Sequence, residues 1–334
     1  MTQENGPEKF LKLAQGFMES RILLSTAELN LYTLLSAAPL TAKEINDKIN
    51  GDLKALTMLL DAAAAIGLLQ KKDGAYFCEP DTAKYLCDDS PVTALPMVLH
   101  VGAIWKSWSQ LTNIAEGAPP SISNMDFLRQ GKELEAFIGA MHSVGEPMAG
   151  RIAAAVNPRD ARSLIDVGGG SGTYTIAFLR AVPELKATIF DMPQVIEMAR
   201  TRLHRAGLLD RARLVGGDYN CDELPGEHDL ALLSAIIHGN SHEQNLGLYK
   251  KIFRVLVPGG RLLIRDHVMD TDRIRPRSGA IFAINMLVGT TGGGTYTYGE
   301  IESELTEAGF VGIRLLFDGE QMDAVVEAFK PTAS

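Results

Sequence analysis

The chain has 334 residues, 46% of them hydrophobic and 22% charged, a length and balance that suit a globular enzyme with a sizeable core and exclude disordered and fibrous classes. Its formal net charge of −9 disfavours nonspecific binding to nucleic acid. No apolar run reaches the roughly 20 residues of a membrane span, and the opening MTQENGPEKF is too polar for a signal peptide, so no membrane partner and a cytoplasmic location are expected. Cys78, Cys87 and Cys221 are odd in number and lack metal-ligand spacing, which reads as free thiols and no metal site.

In chain order, Phe10 to Leu35 carries apolar residues at helical spacing, Thr41-Ala-Lys-Glu44 reads as a capping box opening a short helix, and a third helix is expected over Leu53 to Leu69. Lys71 to Ala75 is a turn between Gly67-Leu-Leu-Gln and Tyr76-Phe-Cys. Three helices and a hairpin suggest a winged-helix unit. A recognition helix needs cations, yet the third helix offers only Lys54, and residues 1–100 hold nine Lys or Arg against thirteen Asp or Glu. The unit repels phosphate, so a dimerisation scaffold is expected rather than a DNA reader.

Residues 90–155 look like linking helices, whose large side chains Trp105, Trp108, Phe137, Met141 and Met148 read mostly as core, with Trp105 and Met141 also candidates for the wall of a ligand pocket. From Ser163 strands and helices alternate. Strands are expected at Leu164 to Val167, Ala187 to Phe190, Ala212 to Val215 and Leu230 to Ser234, and helices at Thr173 to Val182, Val195 to Ala206 and Glu243 to Leu256. Pro258-Gly-Gly260 then turns into a strand from Arg261 to Arg265, followed by a pocket-forming helix Ile281 to Val288 and another at Tyr298 to Ala308. Gly312 to Phe317 and Met322 to Phe329 close the sheet as an antiparallel hairpin. The fold class is therefore α/β, a Rossmann-like doubly wound, mostly parallel sheet behind an N-terminal all-helical winged-helix domain. Three segments follow: 1–100 for dimerisation, 101–155 as linking helices that contribute to the substrate pocket, and 156–334 as the nucleotide-binding domain.

The run Leu164-Ile-Asp-Val-Gly-Gly-Gly-Ser-Gly-Thr173 drives a strand into a glycine cluster and then a helix, the pattern of a nucleotide-binding turn. About 20 residues on, a second strand ends in Asp191, where such folds grip a ribose diol. A dinucleotide fingerprint read from Gly168 requires a glycine where Thr173 stands, which counts against an NAD-dependent oxidoreductase.

Together with Phe190-Asp-Met-Pro-Gln-Val195, Gly217-Asp-Tyr219, Ile236-Ile-His238 and Val257-Pro-Gly-Gly260, this turn makes the chain resemble the small-molecule O-methyltransferases of class I, the family of the caffeate, flavonoid and acetylserotonin enzymes. The resemblance covers nearly all of residues 10–330 and implies S-adenosylmethionine as cofactor, a small-molecule acceptor and a homodimer formed through the N-terminal domain. It implies that Gly168 and Gly170 line the methionine part, Asp191 binds the ribose, Met192 and Tyr219 flank the adenine, and Asp218 meets its amino group, with Asp166 and Ser234 completing the cofactor set. Trp105, Met141, His142, Asn285 and Met286 are the expected substrate pocket, and His238 stands where the family carries its general base.

The family's Asp-Trp after this histidine is Gly239-Asn240 here, and Gly293-Gly-Thr295 stands where an orienting acid is expected. His142, Asp266, His267 or an acid from elsewhere in the chain are candidates to replace the missing acids, and the spacing selects none of them. Transfer to carbon or sulfur, which needs no strong base, and a catalytically silent cofactor-binding regulator are the alternatives. His204, His228 and His242, and the basic run Arg273, Arg275 and Arg277, read as solvated.

Overall fold

The computed structural model describes residues 6–120, 131–158 and 160–332. The chain divides into two units, Met1–Trp105 and Lys106–Ser334, a division that falls inside the expected linking segment.

The first unit holds helices α1 (Pro7–Glu28), α2 (Leu31–Ser36), α3 (Ala42–Ile49), α4 (Leu53–Ala65) and α5 (Pro80–Leu86), and α6 (Leu95–Trp108) carries the chain out of it. Three short strands, β1 (Leu40–Thr41), β2 (Leu69–Lys72) and β3 (Ala75–Cys78), pair antiparallel in the order β1-β3-β2. The apolar run expected as one helix is split, because Asn30 adopts φ 53° between α1 and α2. Asparagine tolerates this left-handed conformation better than most residues, and the helix cannot continue through it. α4 stops before Leu69 because Gly67, at φ 80°, lets its own N–H reach the Ala64 carbonyl and that of Leu68 reach Ala63. The expected capping box at Thr41 and Glu44 is present.

Leu31, Tyr32, Leu35, Ile45, Leu60 and Tyr76 form this unit's core, and α4 adds Leu56 and Ala63. The third helix is thus spent on packing. α1, by contrast, exposes a run of large apolar side chains, with Phe10 at 69%, Leu13 at 78% and Phe17 at 53%.

In the second unit, α7 (Leu111–Ala115) and the long α8 (Gly131–Val156) precede a sheet built by alternation. The chain runs β4 (Ser163–Val167), α9 (Thr173–Ala181), β5 (Lys186–Asp191), α10 (Pro193–Arg205), β6 (Ala212–Gly216), β7 (His228–Ser234), α11 (His242–Val255) and β8 (Leu256–Asp266). It continues with β9 (Val268–Met269), α12 (Arg277–Gly289), β10 (Tyr296–Thr297), α13 (Tyr298–Glu307), β11 (Val311–Phe317) and β12 (Ala324–Phe329). The seven-stranded sheet has the order β11-β12-β8-β7-β4-β5-β6, parallel except where β12 pairs antiparallel with β8 and β11.

Side chains alternate across each strand, so one sheet feeds two cores. Ile165, Val167, Ala231, Leu233, Leu262 and Ile264 pack with α11 and α13. Leu164, Leu230, Leu232 and Leu263 pack on the other face with α8, α9 and α10. After β4 the chain crosses to β5 on one side, while β7 lies on the other, and this reversal opens a crevice at the strands' carboxyl ends. The pair β9 and β10, parallel through Tyr296 and Val268, was not expected from the sequence. No helix among the described residues is long and apolar enough to cross a membrane.

Candidate active site

The glycine turn follows β4 directly. Gly168 takes φ +70°, and a Cβ there would lie 2.2 Å from Ile236 Cδ1, so only glycine keeps this path open. Gly170 donates its N–H to Asp191 Oδ2 at 2.7 Å, and Met192 N–H donates to Asp191 Oδ1 at 2.7 Å. Each oxygen retains a lone pair for a hydroxyl donor. Burial raises the Asp191 carboxyl, while these two backbone hydrogen bonds oppose the rise.

One turn deeper, Asp166 is 1% exposed and accepts a hydrogen bond from Thr175 Oγ at 2.5 Å. Its Oδ1 has no partner, and burial pushes the carboxyl up to about 7. Asp218 accepts the Asn220 N–H at 2.8 Å. Tyr219 packs against the core beside Val215 and Ile236, and Met192 is 36% exposed. A backbone cradle, a carboxylate at the end of β5, an orphaned buried oxygen and an adaptable apolar rim together fit S-adenosylmethionine.

His238 lies in a short turn, Ile237–Gly239, beyond β7. Between strand and turn, Ala235 is held at φ 59°, a strained conformation for a residue with a Cβ. Asp266 ends β8 on the neighbouring strand, fully buried, with both carboxylate oxygens 2.9 Å from His238 Nδ1. Burial raises the Asp266 carboxyl, but the charge and hydrogen bond of His238, helped by the His267 N–H, outweigh it and hold the group below its ordinary range. Of the named candidates, Asp266 is the one that hydrogen-bonds His238. A strand register decided it: Ser234 pairs with Arg265, which sets Asp266 opposite the start of the histidine turn.

The absent acid at 293 also has a physical cause. A Cβ on Gly293 would lie 2.4 Å from the His238 carbonyl oxygen, and Gly294 N–H donates to that oxygen at 2.9 Å. Position 293 therefore closes on the histidine backbone and has no room for a carboxylate, whereas Gly294 faces open space.

Phe282 of α12 sits between two histidines, with ring centroids 4.8 Å from His238 and 5.2 Å from His267. Asn285, one turn on, accepts from Trp108 Nε1 at 2.9 Å, and Met286 beside it is 7% exposed. His142 of α8 is 2.9 Å from Thr173 Oγ at the start of α9, and burial, with the nearby Arg202 charge, pushes its ring down to about 4. Met141 next to it is 37% exposed. Trp105 belongs to the first unit, where the Arg21 guanidinium lies 5.6 Å from its ring centre.

Of the groups expected to be solvated, His242 and Arg273 are exposed, each beside a carboxylate, and His228 is buried. His228 is 4% exposed, 2.7 Å from Ser163 Oγ and 3.0 Å from the Pro225 carbonyl, because it starts β7 inside the sheet. His242 is 2.5 Å from Glu304 on α13, and Arg273 pairs with Glu300 and donates to Thr295 O at 2.9 Å. Phe282 and Arg265 were not singled out from the sequence. Arg265 had a readable signal, since a cation ending an otherwise apolar buried strand demands a partner.

Residues 124–311 match the model of the O-methyltransferase domain, and residues 11–88 match the O-methyltransferase dimerisation domain. The chain is 30% identical over 315 residues to 3-hydroxy-5-methyl-1-naphthoate 3-O-methyltransferase of Streptomyces sahachiroi, covering 92% of this chain and 90% of that one. It is 29% identical over 326 residues to the tetracenomycin polyketide synthesis 8-O-methyl transferase TcmO of Streptomyces glaucescens, covering 94% of each. The crystal structure of human N-acetylserotonin methyltransferase in complex with SAM shares the fold, with a TM-score of 0.84 at 23% identity, covering 99% of this chain and 100% of that one. With its dimerisation domain, glycine turn and histidine-bearing strand end in one chain, the protein belongs to the O-methyltransferase family and is an S-adenosylmethionine-dependent enzyme acting on small molecules.

Proposed function

We propose that the acceptor is a hydroxyl on a flat aromatic system, deprotonated by His238. The observation that carries this reading is the bond between His238 Nδ1 and the buried Asp266 carboxylate at 2.9 Å. Asp266 accepts the Nδ1 proton, so the neutral ring keeps its lone pair on Nε2, the nitrogen left to take a proton from an acceptor. A phenol, with a reference pKa of about 10, needs that help at neutral pH, whereas a thioether does not. Phe282, Trp108, Asn285 and Met286 supply aromatic and polarisable surface with one amide whose oxygen is already engaged by Trp108, which leaves its N–H groups for an oxygen on the acceptor. The two Streptomyces relatives are named for O-methylation of a hydroxynaphthoate and of a polyketide, which supports the same class.

S-adenosylmethionine, when bound, supplies an electrophilic methyl group on a sulfonium. Gly168, Gly170, Asp166, Asp191, Met192, Asp218, Tyr219 and Ser234 are proposed to hold it; His142, beside the start of α9, and its neighbour Met141 are proposed to close the acceptor side. Positioning carries much of the rate of an in-line displacement, and the base adds roughly 10²–10⁴-fold. We further infer that the exposed apolar face of α1 is covered by a second copy of the chain.

The test is S-adenosylhomocysteine release with hydroxynaphthoates and related polycyclic phenols, comparing the native protein with His238→Ala. Turnover on phenols that falls by two orders of magnitude or more in the variant, at unchanged S-adenosylhomocysteine affinity, supports the reading. Equal turnover in both proteins removes the base role.

A further inference from the structure

Arg265 ends β8 and is 4% exposed. β4 pairs with β7 as far as Val167 and Leu233, and β7 pairs with β8 as far as Ser234 and Arg265, so Gly168 follows on beside Ser234. Asp166, Ser234 and Arg265 fall on the same face as Leu164, Leu232 and Leu263, the face covered by α8 and α9. The guanidinium thus lies at the sheet's carboxyl edge, one strand removed from the glycine turn.

Its partners are neutral. Nη1 donates to Ser234 Oγ at 3.1 Å, Nη2 donates to Met148 Sδ at 3.5 Å, and the group lies 4.9 Å from the centre of the Tyr174 ring. Nε is buried with no partner. Asp266 is next in the chain, but its carboxylate is taken by His238 and the His267 amide. Among the described residues no carboxylate forms an ion pair with Arg265, and only the adjacent Asp266, already bonded to His238, is held down in part by its charge.

Arginine stays charged in proteins, and a buried cation without a counter-ion is costly. A planar guanidinium is matched by a carboxylate. Beside it α9, nine residues long, begins at Gly172 with no side-chain cap, so its positive end faces the same crevice. S-adenosylmethionine carries one anionic group, the α-carboxylate of its methionine half.

We propose that Arg265 receives that carboxylate, so that Asp166 and Arg265 bracket the cofactor's amino-acid zwitterion from two strands of one sheet face. The inference rests on the S-adenosylmethionine reading of this site. Ser234 then acts as the hydroxyl that holds the guanidinium in place rather than as the principal cofactor contact.

Calorimetric titration of the native protein, Arg265→Met and Arg265→Lys with S-adenosylhomocysteine, its decarboxylated analogue and methylthioadenosine tests this. The native protein is expected to prefer S-adenosylhomocysteine over the decarboxylated analogue by roughly 10–100-fold, the range of a charged hydrogen bond. In Arg265→Met that preference collapses towards unity while methylthioadenosine affinity is kept, and Arg265→Lys retains part of it. Equal native affinity for the two sulfides overturns the proposal even if the variants fail to fold. Equal loss of all three ligands in Arg265→Met also overturns it, since that marks a structural role. Absence of native binding to both S-adenosylhomocysteine and methylthioadenosine would instead sink the cofactor reading itself.

Discussion

In the proposed mechanism Asp266 touches the reaction only through His238, by fixing which ring nitrogen carries the proton. Asp266→Asn removes the charge and keeps the shape, so we expect kcat to fall by roughly 10²-fold or more while KM and S-adenosylhomocysteine affinity hold. A matched loss in cofactor affinity would make the residue structural. Asp166 behaves oppositely, because its hydrogen bonds from Thr175 do not offset its burial. Its folded-state carboxyl is raised to about 7, so the folded protein holds a proton that the unfolded chain releases near pH 4. Stability from this group is complete below that lower value and is lost as pH rises through about 7. The ligand-free protein should therefore lose melting temperature between pH 5 and pH 8, and Asp166→Asn should lose less. Parallel pH curves for the two proteins would contradict the assignment.

At the scale of elements, the His238 turn is fixed from both sides. The α11 capping box of Ser241 and Gln244 begins two residues after the turn, and the Gly293 loop closes over it. Gly293→Ala places a methyl group against the His238 carbonyl, a backbone atom that cannot yield cheaply. We expect turnover to drop at least tenfold with little change in cofactor affinity, read by initial rates and calorimetry. Native-like turnover would show that the loop can move aside. A cap such as Ser241 contributes about 1 kcal/mol. Its loss should lower the denaturation midpoint without changing the acceptor profile.

For the whole molecule, the apolar face of α1 is the feature that a single chain leaves unexplained. Phe10, Leu13 and Phe17 are more than half exposed, and contiguous apolar surface of this kind marks an interaction site. The dimerisation-domain match covers the later part of this helix, from residue 11. Leu13→Glu with Phe17→Glu should convert a particle of two copies into one near 36.1 kDa, measured by light scattering after size exclusion. Persistence of the larger mass would place the interface elsewhere.

The sequence by itself determined the parallel sheet, the order of strands and helices, the glycine turn and the identity of His238 as the residue to test. The sheet, the element order and the glycine turn follow from local rules, side-chain period and turn chemistry, while His238 followed from the resemblance to the O-methyltransferases. It could not choose among His142, Asp266 and His267, because the choice depends on which strand lies beside β7 and in what register. Nor could spacing reveal why Gly293 cannot be an acid, that His228 is buried, or that Phe282 stands between two histidines. Only the tertiary structure decided these, since each depends on contacts between segments tens of residues apart, where burial and strand pairing rather than local pattern set what a side chain meets.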